Sequence, residues 1–103
     1  MAWNETLLER PLRRPFDNET RQAINAEYER RKHEMPLPTE LHWHQTEPKF
    51  TLESKWLAFV GHFTTEKLVV HARLSLAAKL MVTDDHRRQA RQVISEIADS
   101  LEL

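Results

Sequence analysis

Apolar and polar residues alternate through the middle of the chain, between Lys49 and Leu74. Successive side chains of a β-strand point to opposite faces, so this pattern predicts an antiparallel meander with one continuous apolar face. One turn is predicted at Ser54 and Lys55, and another is centred on Thr65 and Glu66. Across these turns the predicted pairs are Leu52–Leu57, Phe50–Phe59, Phe63–Leu68, Gly61–Val70, Phe59–Ala72 and Leu57–Leu74.

Two other segments have the spacing of amphipathic helices. The first covers residues 18–35, with Asp17 or Asn18 as N-cap and an apolar stripe of Ile24, Tyr28 and Met35. The second covers residues 84–102 and has Thr83 as its N-cap. Residues 76–81, which precede it, fit either a short helix or more strand. The stripe of the second helix comprises Ala90, Val93, Ile94, Ile97 and Leu101.

Together these elements predict an α+β fold with two layers. An antiparallel meander of three to four strands forms one layer, and the N-terminal and C-terminal helices pack on one of its faces. Residues 17–103 are predicted to be a single domain, and residues 1–16 an N-terminal arm of undetermined fold. The residues predicted to form the core are Leu57, Phe59, Phe63, Leu68, Val70, Leu74, Ile94 and Ile97.

The composition of the chain excludes several kinds of functional site. The chain of 103 residues has no cysteine and a formal net charge of −1, which excludes disulfides and thiol nucleophiles and indicates no general attraction to nucleic acid. Its single glycine, Gly61, cannot form a phosphate-binding loop, because such loops need several glycines. Within a strand, Gly61 instead predicts a bulge or a close approach of a helix.

Catalytic chemistry has no clear signature in the chain. Its carboxylates are interleaved with arginines, as on a solvated helix face, and its serines lack the context of a nucleophile. We therefore expect neither an enzyme nor a cofactor. One alternative is a metal or ligand site at His42, His44 and Glu53, since an i, i+2 histidine pair on a strand points the same way. Solvated strand histidines explain the same pattern.

The second face of the predicted sheet is more apolar than a solvated face requires. Trp56, Val60 and Val69 lie on it with His62 and His71. We expect an association surface here, most simply of a two-fold homodimer. The arm either covers this face within one chain or crosses to the partner subunit, with Trp3 and Leu7 as anchors.

Lys49 and Arg73 also lie on this second face, beside Trp56. Basic groups near an aromatic ring are typical of proteins that stack on single-stranded RNA. One aromatic residue is a thin platform for stacked bases, however. We therefore do not expect nucleic acid as the partner.

A sequence resemblance extends over residues 17–103. The order of a helix, Trp43, Phe50, the strand end Val60–Gly61, Leu68–Val70, Leu74 and a terminal helix resembles the small polyhydroxyalkanoic acid system proteins of bacteria. That resemblance implies an α+β accessory protein connected with storage-polymer granules, and it carries no catalytic motif. With neither a signal-peptide pattern nor an apolar stretch of ~20 residues, the expected location is the cytoplasm.

Overall fold

The computed structural model of the chain describes residues 3–35, 38–55, 57–75 and 82–103. Within these ranges the α+β class is confirmed, with one antiparallel sheet, two α-helices and a short 3₁₀ helix. The strands are β1 (Trp3–Pro11), β2 (Glu40–Trp43), β3 (Lys49–Glu53), β4 (Leu57–Phe63) and β5 (Lys67–Leu74). The helices are α1 (Asn18–Arg31) and α2 (Asp84–Ser100).

The described sheet has five strands in the order β1-β5-β4-β3-β2, so the prediction of three to four strands was too low. The additional strand is β1, which lies within the predicted arm and pairs with β5. Its register shifts between Thr6 and Leu8. A bulge of this kind interrupts the alternation of side chains, and Leu7 and Leu8 both pack against the core. The arm segment therefore extends the sheet at its edge.

Arginines from α2 and β1 fix this edge strand to the helical layer. Arg91 donates from Nε to the carbonyl of Leu7 at 2.8 Å, which satisfies an acceptor at the bulge. Arg87 pairs with Glu5. Arg10 donates to the carbonyl of Leu103 at 2.8 Å. These bonds attach β1 to α2 and to the C-terminal residue of the same chain.

The register between β4 and β5 is as predicted, including the pairs Gly61–Val70 and Phe63–Leu68. The register between β3 and β4 differs, because Leu52 pairs with Phe59 and not with Leu57. The turn lies one residue later than predicted, since the Ser54 amide donates to the Leu57 carbonyl. Moving a turn centre by one residue shifts each partner by two, so every side chain keeps its face.

Gly61 is explained by an aromatic ring. A Cβ at this position would overlap the ring of Phe50, its partner on β3. Both the bulge and the close helix suggested by the sequence are therefore wrong for this glycine. The ring of Phe50 lies over the backbone of β4, where only glycine leaves enough space.

The helices begin at the predicted caps. Asp17 accepts a hydrogen bond from the Thr20 amide at 2.8 Å, and this bond holds the pKa of the Asp17 carboxyl below its usual value. Thr83 and His86 form a reciprocal capping box at the start of α2. α1 is shorter than predicted, because Lys32–Glu34 is a 3₁₀ helix and Met35 is extended. A residue before proline is forced out of the helical region, as Met35 is.

One core lies between the sheet and the two helices. All eight predicted core residues are buried. The predicted stripe of α1 is confirmed too, since Ile24, Tyr28 and Met35 are buried. At one end of this core Phe16 stacks on Phe63 with ring centres 4.3 Å apart. Residues 76–81, for which strand and helix were both open, lie outside the described residues.

Candidate interaction surface

The outer face of the sheet is the side turned away from the helices. Within the described part of the chain, nothing packs on it, since His62, His71 and Arg73 are exposed and Val60 and Val69 are half-buried. Register fixes their neighbours across the strands: His62 pairs with Val69, and Val60 with His71. As far as the described residues show, this face is therefore the uncovered side of the two-layered fold.

A shallow concavity of about 430 Å³ lies at the centre of this face. Two half-buried valines contribute its apolar surface. Lys49 and Arg73 contribute positive charge, and the imidazoles of two histidines contribute further hydrogen-bonding groups. Among the described residues that line it, none is acidic. The lining residues are Lys49, Val60, His62, Val69, His71 and Arg73.

Neighbouring acids are already engaged. Glu9 on β1 accepts a hydrogen bond from Lys67 at 2.6 Å, which lowers the pKa of the Glu9 carboxyl and raises that of the Lys67 ammonium. Glu53 on β3 lies 3.6 Å from the imidazole of His42, at the other edge of the sheet. Glu9 also interacts with His71, whereas in the described part of the chain no salt bridge joins Lys49 or Arg73 to an acid, so these two cations are open to a negative group from outside.

The predicted interface residues do not all come together. Val60, His62, Val69 and His71 share the concavity. Leu7, predicted to anchor the arm on a partner, is only 4% exposed and belongs to the core of its own chain. The side chain of Trp3 and the whole of Trp56 lie outside the described residues. The surface is therefore defined by four of the predicted residues.

The alternative metal site is not assembled as predicted. His42 has Glu40 and Glu53 at 3.4 Å and 3.6 Å from Nε2. His44 instead uses Nδ1 to accept hydrogen bonds from the amides of Thr46 and Glu47, in the turn after β2. In the described ranges, no group of three or more His, Asp or Glu side chains has a geometry that could hold a metal ion.

An apolar cavity of about 30 Å³ remains between the sheet and the helices. That is roughly enough for a single water molecule, whereas small-molecule pockets measure about 300–1,000 Å³. The hydroxyl of Tyr28, which belongs to its lining, already donates to the Thr39 carbonyl at 2.9 Å. The interior is therefore a packed core with a minor packing defect.

A second basic position lies near the start of α1. The guanidinium of Arg21 is 5.1 Å from the ring centre of Trp43 and 5.9 Å from that of Phe16. Its Nε is buried without a hydrogen-bond partner. A guanidinium over aromatic rings is adequately explained as a cation–π contact that covers the end of the core.

Sequence reasoning found the parts of the concavity but not their combination. Lys49 and Arg73 were connected with Trp56, while His62 and His71 were grouped with the valines. The register of β3, β4 and β5 brings these two groups of residues together, because Lys49 on β3 pairs with His62 on β4. Among the outward positions of β3, β4 and β5, Glu53 is the one acid, whereas Lys49, Lys67 and Arg73 are basic, and this imbalance is the sequence signal that could have identified it.

Comparison with known proteins adds no relative. No protein-family model, curated protein or solved structure matches the chain. The connection with storage granules therefore stays a prediction. No helix in the described ranges has the length and apolar character needed to cross a bilayer.

Proposed function

We propose that this chain is a non-enzymatic binding protein that associates with an anionic partner through the outer face of its sheet. The observation that carries the proposal is the concavity in which Lys49, His62, His71 and Arg73 lie beside two valines, with no acidic residue in the described lining. With a net charge of only −1 overall, this positive region is a local feature of one face.

The two kinds of side chain have complementary roles in binding. Val60 and Val69 supply apolar area that a partner removes from water, which is the main source of affinity at most interfaces. The basic side chains accelerate encounter with a negative partner and discriminate against a positive one. A partner that combines negative charge with some apolar surface therefore fits this face.

A second copy of the chain fits it less well. In a two-fold dimer the same patch is used twice, so the cations of one subunit would face those of the other. Like charges brought together at an interface cost free energy unless an anion lies between them. The homodimer expected from the sequence stays a prediction, which light scattering coupled to size exclusion of the wild-type protein would test, and an anionic partner is the proposal.

Binding of labelled poly-L-glutamate at an ionic strength of about 0.15 M tests the proposal by fluorescence anisotropy. The variant Lys49→Ala/Arg73→Ala removes two positive charges from the concavity. Its matched control, Arg13→Ala/Arg14→Ala, removes two from an exposed loop. We expect the first variant to lose at least about tenfold in affinity, and the control less than about twofold, because at this ionic strength charges more than about 8 Å from the bound anion are largely screened.

Two results would contradict the proposal. In one, the wild-type protein fails to bind poly-L-glutamate even at low salt. In the other, both double variants lose the same affinity, which would assign binding to overall charge. Circular dichroism of each variant confirms that the fold is retained.

A further inference from the structure

The four basic or protonatable side chains of the concavity form a line, not a ring. Lys49 on β3 pairs directly with His62 on β4. His62 pairs with Val69 on β5, and His71 is two residues further along that strand. Arg73 follows after another two residues on β5. The line therefore crosses the sheet diagonally from β3 to β5.

Sheet geometry gives the dimensions of this line. Strands lie ~4.8 Å apart, and two residues along a strand rise ~6.8 Å. The steps from Lys49 to His62, His71 and Arg73 are then about 5, 8 and 7 Å, and the ends are about 17 Å apart. Val60 and Val69 flank the line on opposite sides, between His62 and His71.

An extended polypeptide matches this spacing. Its alternate side chains point to one side and recur every ~6.8 Å, so three consecutive ones span about 14 Å. Carboxylates at these positions come within reach of all four basic groups. The concavity has a single valine on each side of the line. This narrow apolar surface suits one extended chain better than a helix, which is about 10 Å across.

Building on the proposed function, we propose that the partner is an acidic segment of another protein, bound in an extended conformation with Asp or Glu at alternate positions. Its carboxylates lie along the diagonal from Lys49 to Arg73. The aliphatic stems of its side chains contact Val60 and Val69. Salt bridges at such a surface fix the register of the segment more than they raise its affinity.

Single-stranded nucleic acid is the competing polyanion. Proteins that bind it without sequence preference stack its bases on aromatic side chains. Among the described residues that line the concavity, none is Phe, Tyr or Trp, so His62, His71 and the guanidinium of Arg73 are the groups there that could stack on a base. The spacing of the line, which matches alternate side chains of an extended chain, favours carboxylates on a polypeptide.

Two labelled nine-residue peptides of identical composition test the spacing. The first alternates serine and glutamate, with four glutamates; the second contains the same four glutamates in one uninterrupted block. The block places only two carboxylates on each side of an extended chain, so we expect the alternating peptide to bind at least about fivefold more tightly. A nine-nucleotide oligothymidine is measured in parallel.

Histidine variants sharpen this test. His62→Ala and His71→Ala are each expected to weaken binding of the alternating peptide, whereas His33→Ala, on the exposed 3₁₀ helix, leaves it unchanged. Val60→Glu, which places a carboxylate between His62 and His71, is expected to abolish binding.

The outcomes separate this inference from the proposed function. If the two peptides bind equally, or if oligothymidine binds more tightly than either, the inference is overturned while an anion-binding face remains. If poly-L-glutamate, both peptides and oligothymidine all fail to bind, the proposed function fails as well.

Discussion

The two faces of the sheet differ although they belong to the same strands. On the inner face, Phe59 is 4% exposed and Val70 is fully buried. On the outer face, the residues next to them in sequence are the half-buried Val60 and the exposed His71. Because side chains alternate along the strand, a residue that packs in the core is followed directly by one that faces outward. The inner positions determine whether the chain folds, and the outer ones are free to be selected for a partner.

Aromatic content shows the same division. The inner face collects Phe50, Phe59 and Phe63, and Trp43 joins them with ring centres 5.5 Å from Phe50. In the described part of the outer face, the concavity contains valines and basic side chains. Large rings contribute most to burial, so their concentration on one face indicates where the free energy of folding arises.

Truncation of neighbouring residues gives the largest expected difference. Phe59→Ala should destabilise the fold by about 3–5 kcal/mol, because it leaves a cavity in the core. Val60→Ala should cost less than about 1 kcal/mol, since its side chain is only half-buried. Urea unfolding measures both. Equal costs would mean that the two faces are not distinct in the way described.

Gly61→Ala is expected to have the next largest effect. The new methyl group would overlap the Phe50 ring, and overpacking of this kind costs about 1–3 kcal/mol. In a Phe50→Leu background the same substitution should cost clearly less, because the obstructing ring is gone. A double-mutant cycle of unfolding free energies measures the coupling. Strict additivity would show that the ring is not the reason for the glycine.

Acid should affect the helical layer through Asp17. Its pKa is lowered in the folded state by the hydrogen bond from the Thr20 amide, so its contribution to stability is complete above the ordinary value of 3.8. That contribution is lost as the pH falls through the lower folded value. Asp17→Asn can still cap α1 but does not titrate. We expect the difference in stability between the two proteins to shrink on acidification, and a pH-independent difference would contradict this assignment.

The smallest expected change in stability belongs to the outer face. Lys49→Ala/Arg73→Ala should leave the unfolding free energy within about 0.5 kcal/mol of wild type, since both residues lie outside the core. Thermal unfolding measured by circular dichroism provides the value. A large loss of stability would give these residues a structural role and would weaken the case for binding.

The sequence was most informative where side chains alternate strictly. From Leu57 to Leu74 the apolar pattern and the turn at Thr65 and Glu66 sufficed to predict both faces and every pair of β4 with β5. The turn before β4 was misplaced by one residue, because neither placement puts an apolar side chain on the wrong face. The apolar pattern alone cannot distinguish two strand registers that differ by two residues, because both keep every side chain on the same face.

The edge strand was missed for a physical reason. β1 contains Leu7 and Leu8 side by side, and the bulge that turns both toward the core removes the period of two. Its tertiary partners, including Arg91 on α2, are remote in sequence. The basic line on the outer face was likewise invisible, because its members lie on three strands and align only once the register is known.

Methyl signals in a nuclear magnetic resonance titration test the central claim most directly. Poly-L-glutamate is added to protein labelled at its Val, Leu and Ile methyl groups, which report on the two faces separately. We expect the methyl signals of Val60 and Val69 to shift, and those of the inner residues Leu57, Leu68 and Ile94 to stay in place. Shifts confined to other sites, such as Leu12 beside Arg13 and Arg14, or equal shifts on both faces, would contradict the account.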